Sequence, residues 1–483
     1  MNKKLIVKIL GIILLIEAAF MLPSLIISFY IKDSSNRGFL VAMSILIVLF
    51  LLTRFIKIKD YTLAPLDGLF IVGFSWILVS IFGAVPLYIN TELDFISSFF
   101  EIVSGFTTTG ASVIGNIESY PKSVVFWRSI THWIGGMGIL VFTVSILPRL
   151  GVGGFQIYKA ESPGPVAGKI QSTTARSGKI LYRIYLLITL IIFLALLGTK
   201  MSAFDAAIHT FGVTGTGGFS SHNDSLARYG TPTIVVLSIA MFICATNFNV
   251  YFLIYKRKFK EILNNDELKM WFLFIGIAVL SIAICLFKNG YGSFSLSLRD
   301  SALQVTSVSS TSGFANTDFD LWPSFAKTIL FLLYFMGGCA GSTAGGLKVV
   351  RITVLYKLIK REIKKTIHPK AVVPIRLNGK NLSEQVVLGI CAFTAVYFFV
   401  FCISTAIITL DGHDIRTSMS AVATFLSNVG PGFSKVGPTR NFAFFSRGYK
   451  LYFSFLMLLG RLEFFTLIAL ISPSNPKKEL IKI

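Results

Sequence analysis

Four short glycine motifs carry the residue types and spacing that could do chemistry in this sequence. They recur at broadly similar intervals between hydrophobic segments and read Thr108-Thr109-Gly110, Thr216-Gly217-Gly218, Thr311-Ser312-Gly313 and Asn428-Val429-Gly430. Glycine adopts, at little cost, the backbone torsions that turn successive carbonyls towards one axis. Backbone carbonyls arranged in this way can replace the hydration shell of a monovalent cation. The motifs therefore predict a pore of the K⁺ type, with these residues at its filter.

The segment before each motif is predicted to be a short helix that enters and leaves the membrane on one side. The four segments are 95–105, 203–211, 299–308 and 415–426. About ten helical residues rise about 15 Å, which is half of a hydrocarbon core of about 30 Å. An acid lies near or just before each start and is expected to cap the helix: Asp94, Asp205, Asp300 and Asp414. The negative helix ends then point towards the glycine motifs.

Composition identifies the chain as a membrane protein. Its mean hydropathy is +0.72 and only 14% of its residues are charged, unlike a soluble globular chain. About ten stretches are long enough to span a bilayer. They start near residues 5, 39, 63, 124, 180, 233, 270, 325, 385 and 451, and the first lacks a signal-peptide cleavage site.

The order of these stretches predicts an all-α polytopic fold. Residues 1–60 are expected to form an accessory two-helix hairpin. Four repeats follow, at 61–150, 151–265, 266–380 and 381–483. Each repeat consists of a span, a short helix, a glycine turn and a second, returning span. The fold class is thus four fused membrane-pore-membrane units around one axis.

The formal net charge of +22 does not favour nucleic acid as a partner. Lys and Arg are concentrated in alternate loops, which is the bias of cytoplasmic loops. We predict a multi-pass protein of the cytoplasmic (inner) membrane whose N- and C-termini are cytoplasmic and whose basic runs contact anionic lipid. Docking of a cytosolic protein is the alternative for these runs, mainly at 357–380.

Residues for catalysis are not grouped in the sequence. The five histidines are scattered without the spacing of a metal or nucleophile site. The five cysteines lie in apolar segments without metal-ligand spacing and are expected to be packing residues. We predict that the chain is not an enzyme and binds no organic cofactor.

A glycine-rich stretch interrupts the returning span of the third repeat. Its gate candidates are Gly337, Gly338, Gly341, Ser342, Thr343, Gly345, Gly346 and Lys348. Glycine costs about 1 kcal/mol relative to alanine in a helix, so the helix is expected to break here. Backbone groups freed at that depth must face water or protein. We interpret the stretch as a flexible plug beneath the filter; close helix packing through small residues is the alternative.

Arg461 is the only basic residue expected deep inside a span. A charge at that depth is costly and indicates function. We expect Arg461 to face the pore below the filter and to raise the barrier for cations. A structural salt bridge is the alternative, with Glu101 of another repeat as the partner. Glu463 lies on the opposite helix face and is a poor partner.

Three further stretches, residues 127–138, 337–348 and 460–463, complete a family resemblance. Essentially the whole chain resembles the Trk/Ktr/HKT superfamily of potassium transporters, and the two extra N-terminal helices resemble its TrkH branch. The resemblance implies a pseudo-fourfold pore in each subunit, a homodimer with two separate pores, and K⁺ as the transported ion. It also implies an intramembrane gating loop at the glycine-rich stretch and a cytosolic RCK-type nucleotide-binding subunit.

Departures from the family pattern concern the second and fourth motifs. The second motif offers two registers, and we align Gly218 because Phe219 then matches Phe314. The fourth motif has Asn428 where the others have Thr, and Pro431 follows its glycine. Na⁺-conducting members of the superfamily replace the first filter glycine by serine, so a glycine there favours K⁺.

Two alternatives to K⁺ uptake stay open at this point. One is a Na⁺-conducting or Na⁺/K⁺-coupled member of the same superfamily. The other is a secondary transporter of an organic solute with a midplane site, which would have fewer, paired broken helices. The sequence does not decide between channel-like and Na⁺- or H⁺-coupled transport.

Overall fold

The computed structural model describes residues 2–58, 60, 62–138 and 174–464. Within these ranges the chain is helical, and one short antiparallel hairpin is the only sheet. The predicted all-α class is confirmed. The segments 139–173 and 465–483 lie outside the described residues, as do parts of two predicted returning spans.

The helices follow the predicted order of long and short segments. In chain order they are α1 (Lys3–Ile31), α2 (Asn36–Arg54), α3 (Pro65–Gly83), α4 (Val85–Asn90), α5 (Phe95–Phe106), α6 (Lys122–Gly136), α7 (Thr174–Gly198), α8 (Ala203–Gly215), α9 (Thr231–Cys244), α10 (Phe248–Tyr255), α11 (Phe259–Leu263), α12 (Asp266–Lys288), α13 (Phe294–Ser309), α14 (Ser324–Tyr334), α15 (Val349–Ile367), α16 (Glu384–Thr409), α17 (Ile415–Ser427) and α18 (Arg447–Leu462). Strands β1 (Arg376–Leu377) and β2 (Lys380–Asn381) form the hairpin. Short 3₁₀ turns occupy Ile117–Ser119, Phe319–Leu321 and Ser434–Val436.

Fewer helices qualify as complete spans than the sequence predicted. Among the described residues six are long and apolar enough to cross a membrane, and a seventh is added if α9 and α10 count as one bent span. Of the four predicted returning spans, the second is broken at a bend and the third at the glycine-rich stretch, while parts of the first and fourth lie outside the described residues. Helices α6, α9, α14 and α18 have 15, 14, 11 and 16 residues.

The predicted span 233–255 is broken in the structure. Helices α9 and α10 meet at an angle of 90°. The backbone N–H of Phe248 donates to Gly341 O (3.0 Å), and Ala245 O accepts from the N–H of Cys339 (2.9 Å). Groups that a continuous helix would have paired internally therefore bond to the glycine-rich stretch, which lies far away in sequence. Composition alone could not have revealed this break.

The four short helices are α5, α8, α13 and α17, and each packs against a neighbouring repeat as well as its own. Helix α5 contacts α18, α8 contacts α6, α13 contacts α9, and α17 contacts α14. These contacts run in order around the molecule and close on themselves. The four C-terminal helix ends are thereby brought round one axis.

The predicted caps are correct for two of the four short helices. Asp94 accepts from the N–H of Ser97 (3.0 Å) and Asp414 from that of Thr417 (3.0 Å). Ser202, rather than Asp205, caps α8. The prediction for Asp300 was wrong, because α13 begins nearly two turns earlier with Ser293 as its cap. Each cap satisfies an N–H that the first helical turn leaves unpaired.

Candidate cation-conduction site

The four glycine motifs share one backbone conformation. The first residue of each has a positive φ: Thr108 +55°, Thr216 +57°, Thr311 +61° and Asn428 +56°. The glycines have φ of +79° at Gly110, +78° at Gly218, +74° at Gly313 and +104° at Gly430. A positive φ is uncommon for residues other than glycine, so four matched pairs identify equivalent positions. Gly218, and not Gly217, is the counterpart of Gly110 in the second motif.

Each motif is tied to its own short helix by the middle residue. Its N–H donates to the carbonyl five positions earlier: Thr109 to Ser104 (2.9 Å), Gly217 to Gly212 (2.7 Å), Ser312 to Ser307 (2.9 Å) and Val429 to Thr424 (3.1 Å). The carbonyl-rich helix ends, which carry partial negative charge, therefore adjoin the motifs. This geometry suits a cation.

The middle carbonyls connect the motifs into a closed ring. A Cβ added at Gly110 would overlap Gly217 O, one at Gly218 would overlap Ser312 O, and one at Gly313 would overlap Val429 O. At Gly430 an added Cβ would lie 2.8 Å from Thr109 O, which returns to the first motif. The carbonyl oxygen of the next motif thus lies so close to each glycine that a residue with a Cβ would collide with it. A cavity of about 120 Å³, here called the mouth, is lined by all four glycines.

The fourth motif differs from the others, as its sequence suggested. The Asn428 amide donates to Thr109 Oγ1 (2.9 Å) and to Met457 O (3.0 Å). The side chain therefore links the fourth motif to the first and to α18. Pro431 O accepts a hydrogen bond from Thr424 Oγ1 (3.1 Å). Among the described residues, the threonines at the three equivalent positions bond other partners instead: Arg461, Gly215 and Gly345.

A buried ion pair supports the first motif from behind. Glu101 is fully buried and accepts from Arg128 Nε, from Ser112 Oγ (2.9 Å) and from the N–H of Val113 (2.9 Å). The Arg128 guanidinium also lies 3.4 Å from the ring centre of Phe219 in the second repeat. Glu101 thus pairs with Arg128, and not with Arg461 as in the salt-bridge alternative. Arg128 lies in the stretch 127–138 that carries the family resemblance, but its partner is 27 positions away.

The glycine-rich stretch forms an irregular loop between α14 and α15. The N–H of Gly337 donates to Leu347 O (2.7 Å), and that of Val349 donates to Gly338 O (3.2 Å). These bonds close the base of the loop. Inside it, Ser342 Oγ donates to Cys339 O (2.6 Å). The helix break predicted from the glycines is present.

The loop lies directly against the motifs. The N–H of Gly345 donates to Thr311 Oγ1 (2.7 Å), and Thr343 Oγ1 donates to Cys244 O (3.1 Å). Lys348 is buried and donates to Ala344 O. Gly341 and Gly346 both have positive φ, +73° and +67°. The predicted gate residues are therefore gathered beside the third motif.

Arg461 joins the first motif, the loop and the end of α6. Its Nη1 donates to Thr343 O (2.7 Å) and Thr108 Oγ1 (3.3 Å), and its Nη2 donates to Gly135 O (2.6 Å) and Gly136 O (2.8 Å). Glu463 pairs instead with Arg351 (2.7 Å). The guanidinium is thus held by carbonyls on the side of the ring away from the mouth.

Glu267 also contacts the loop, although it was not among the predicted site residues. Its carboxylate accepts from the N–H groups of Ala340 (2.6 Å) and Val350 (3.1 Å). The only signal in the sequence was an Asn265-Asp266-Glu267 run at the start of a span, which reads as ordinary capping.

At the mouth, polar side chains join the first and second repeats. Glu118 pairs with Arg228 (2.7 Å) and lies 3.0 Å from Nδ1 of His222. Hydrogen bonds from His222 and then Arg228 hold the pKa of Glu118 below its usual value. Asn223 accepts from the N–H of Ile117 (2.9 Å) and donates to Asn116 (2.9 Å).

The fold and the ring together define a polytopic membrane protein of the ion-transport class. The model of the TrkH family, described as cation transport protein, matches residues 38–482. The chain belongs to this family, so the resemblance read from the motifs is confirmed, and the family is one of transporters rather than enzymes.

Named relatives and a solved structure are similar over nearly the whole chain. The sequence is 36% identical to the Trk system potassium uptake protein TrkH of Salmonella typhimurium, covering 98% of this chain and 99% of that protein. It is 30% identical to TrkG of Escherichia coli, covering 96% of each. The crystal structure of the potassium transporter TrkH from Vibrio parahaemolyticus matches with a TM-score of 0.87 and 31% identity, over 98% of this chain and 99% of that one.

Proposed function

We propose that the chain takes up K⁺ across the cytoplasmic membrane through the ring of four glycine motifs. The observation that carries this proposal is the closed ring itself, in which the carbonyl oxygen of one motif packs against the glycine of its neighbour. The ion would be coordinated by the carbonyls of Thr108–Gly110 and of the three equivalent segments. Relatives that are potassium uptake proteins support K⁺ as the ion.

K⁺ is favoured over Na⁺ by the first motif. Serine at Gly110 would place a side chain against Gly217 O and would disturb a ring carbonyl. Serine, the residue of Na⁺-conducting members, would fit here only if Gly217 O moved, and such a shift would change the geometry of the carbonyl ring. An organic solute is disfavoured, because the mouth above the ring is a cavity of only about 120 Å³.

The glycine-rich loop and Arg461 form the proposed gate. The loop lies under the third motif, and two basic side chains, Lys348 and Arg461, lie near it. Positive charge in a low-dielectric passage repels a cation strongly. The loop therefore blocks the inner side until it moves, and Arg461 raises the barrier further.

Assembly and location form part of the same proposal. The chain works as a homodimer in the inner membrane, with both termini cytoplasmic. Each subunit consists of the two-helix hairpin and the four repeats, with the boundaries predicted above. Helix α15 exposes Lys360 and Lys364 next to Ile359 and Ile363. Such a basic, partly apolar surface suits anionic lipid and a cytosolic RCK-type nucleotide-binding subunit. The relatives are named as proteins of a Trk system, and this name supports the presence of an accessory subunit.

The first test is uptake of Rb⁺, and growth at low K⁺, in a bacterium without its own K⁺ uptake systems, with an RCK-type subunit co-expressed. The parent chain should restore growth, and Gly110→Ser should shift the preference from K⁺ towards Na⁺. Gly115→Ser is the matched control, since a Cβ there meets only Asn441 at 3.8 Å. An unchanged cation order in Gly110→Ser, with normal expression, would contradict the filter. Failure of the parent with its subunit present would contradict K⁺ uptake itself.

A further inference from the structure

Two consecutive carboxylates at the start of α12 bind two different parts of the molecule. Asn265 caps the helix by accepting from the N–H of Leu268 (3.0 Å). The side chains of Asp266 and Glu267 are therefore not needed as caps. Glu267 is 5% exposed and faces the glycine-rich loop, whereas Asp266 faces the β1–β2 hairpin.

Glu267 holds the loop at one end and the following helix at the other. A single oxygen, Oε1, accepts from the N–H of Ala340 in the loop and from the N–H of Val350 in the first turn of α15. Hydrogen bonds to a carboxylate are roughly twice as strong as neutral ones. The contact therefore fixes the distance between the tip of the loop and the start of α15.

The loop has three other anchors besides Glu267. Cys339 and Gly341 bond to the bend between α9 and α10, while Thr343 and Gly345 bond to Arg461 and to the third motif. Among these anchors Glu267 is the carboxylate. Together these bonds keep the loop beside the third motif, the position in which the proposed gate is closed.

Asp266 connects the same helix turn to the hairpin. Its Oδ2 accepts from Lys357 Nζ (2.7 Å) and from the N–H of Asn378 (2.8 Å). In return, the N–H of Asp266 donates to Asn378 Oδ1 (2.8 Å). Lys357 also donates to Arg376 O (2.8 Å). The hairpin is thus fastened to the first turn of α12 by several bonds.

We infer that Glu267 is a positioning residue that holds the glycine-rich loop closed, and that Asp266 links its position to the hairpin. Neighbouring residues of one helix turn move together, so a displaced hairpin shifts Glu267 and loosens Ala340 and Val350. The inference rests on the proposed gate and adds to it the residue that latches the loop and the surface from which the latch is released.

Rb⁺ uptake by the full chain in membranes tests the latch. Glu267→Ala should raise uptake about five- to tenfold, because two charge-assisted hydrogen bonds are lost. Glu267→Gln keeps an acceptor oxygen and should raise uptake about two- to threefold. Cation order should not change in either variant. Glu261→Ala is the matched control, since Glu261 forms an exposed pair with Lys258 away from the loop.

A native cysteine reports the loop position independently of transport. Cys339 is buried next to Ala340 and is 1% exposed. In a chain that keeps Cys339 as its only cysteine, Glu267→Ala should speed labelling by a maleimide several-fold. A chain that keeps only Cys391, which is partly buried in α16, should be labelled at the same rate with and without the substitution. Faster labelling of both cysteines would indicate unfolding and would overturn the latch, as would unchanged labelling of Cys339.

The link to the hairpin is tested by Asp266→Asn and Lys357→Met. Each should speed Cys339 labelling about two- to fivefold, and the pair should not be additive because they remove one contact. Unchanged labelling in both would overturn the link. Failure of the latch differs from failure of the gate: if Arg461→Ala raises uptake and Glu267→Ala does not, the latch is wrong. If neither raises it, the gate is wrong.

Discussion

At the scale of single residues, the sequence indicated that Arg461 has a function but did not show which groups it contacts. Its hydrogen-bond partners Thr108, Thr343 and Gly135 are 353, 118 and 326 positions away in sequence. A lone basic residue in an apolar segment was enough to indicate function. The salt-bridge alternative named Glu101, which pairs with Arg128 instead, because electrostatic pairing depends on distances that only the packed fold sets.

Loss of the Arg461 charge should speed cation entry. Arg461→Ala is expected to raise Rb⁺ uptake about tenfold, since a barrier change of about 1.4 kcal/mol alters a rate about tenfold. Arg461→Lys keeps the charge and should stay close to the parent. Initial rates of uptake in vesicles measure the effect.

Arg447→Ala is the control for this prediction. Arg447 lies at the other end of α18, is 72% exposed and pairs with Asp94. Its removal deletes the same charge from the same helix, far from the loop. Equal uptake in Arg461→Ala and the parent would argue that Arg461 is purely structural.

At the scale of helices, segment types were more predictable than their ends. The positions of α5, α8 and α17 follow from short apolar segments before glycine motifs. The start of α13 was missed, because the Arg299-Asp300 pair looked like a first turn while Ser293 offered an equally good cap. The bend between α9 and α10 had only a weak local signal, Asn247, which caps α10. The other bonding partners of the bend lie in the third repeat.

Glu17 in α1 is a buried acid without a hydrogen-bond partner among the described residues, so its replacement should stabilise the fold. The side chain is fully buried, and neither carboxyl oxygen has a hydrogen-bond partner among the described residues. Burying such a group costs about 1–3 kcal/mol. Glu17→Met should therefore raise the unfolding temperature of the detergent-solubilised protein by a few degrees, with Rb⁺ uptake unchanged.

An exposed acid serves as the comparison for Glu17. Glu92 lies on the surface before α5, so Glu92→Met should leave the unfolding temperature within about one degree of the parent. Size-exclusion chromatography after heating gives both values. A lower temperature for Glu17→Met would mean that the carboxyl makes a contact that stabilises the fold.

At the scale of the whole molecule, two rings lie one above the other. Below the mouth the glycine motifs close on one another. Around the mouth the following loops do the same: Ile117 bonds Asn223, Leu226 bonds Ala315, Ser434 bonds Asp320, and Phe442 bonds Ser112. Each bond joins one repeat to the next. The loop ring therefore braces the repeats whose carbonyls must stay equidistant from a passing ion.

Removing one of these contacts between neighbouring repeats should lower the selectivity for Rb⁺ over Na⁺ more than the maximal rate of uptake. Asn223→Ala removes the two hydrogen bonds that join Asn223 to Ile117 and Asn116, and frees the second repeat to shift against the first. We expect Na⁺ to compete with Rb⁺ uptake about two- to fivefold better, because loss of one such bond costs about 1 kcal/mol. Uptake at saturating Rb⁺ should fall little. Asn289→Ala is the control, since Asn289 bonds Cys285 within its own repeat. If Na⁺ competes with Rb⁺ equally well in both variants, the loops of the mouth do not set the geometry of the ring. Selectivity must then come from the glycine motifs and their short helices alone.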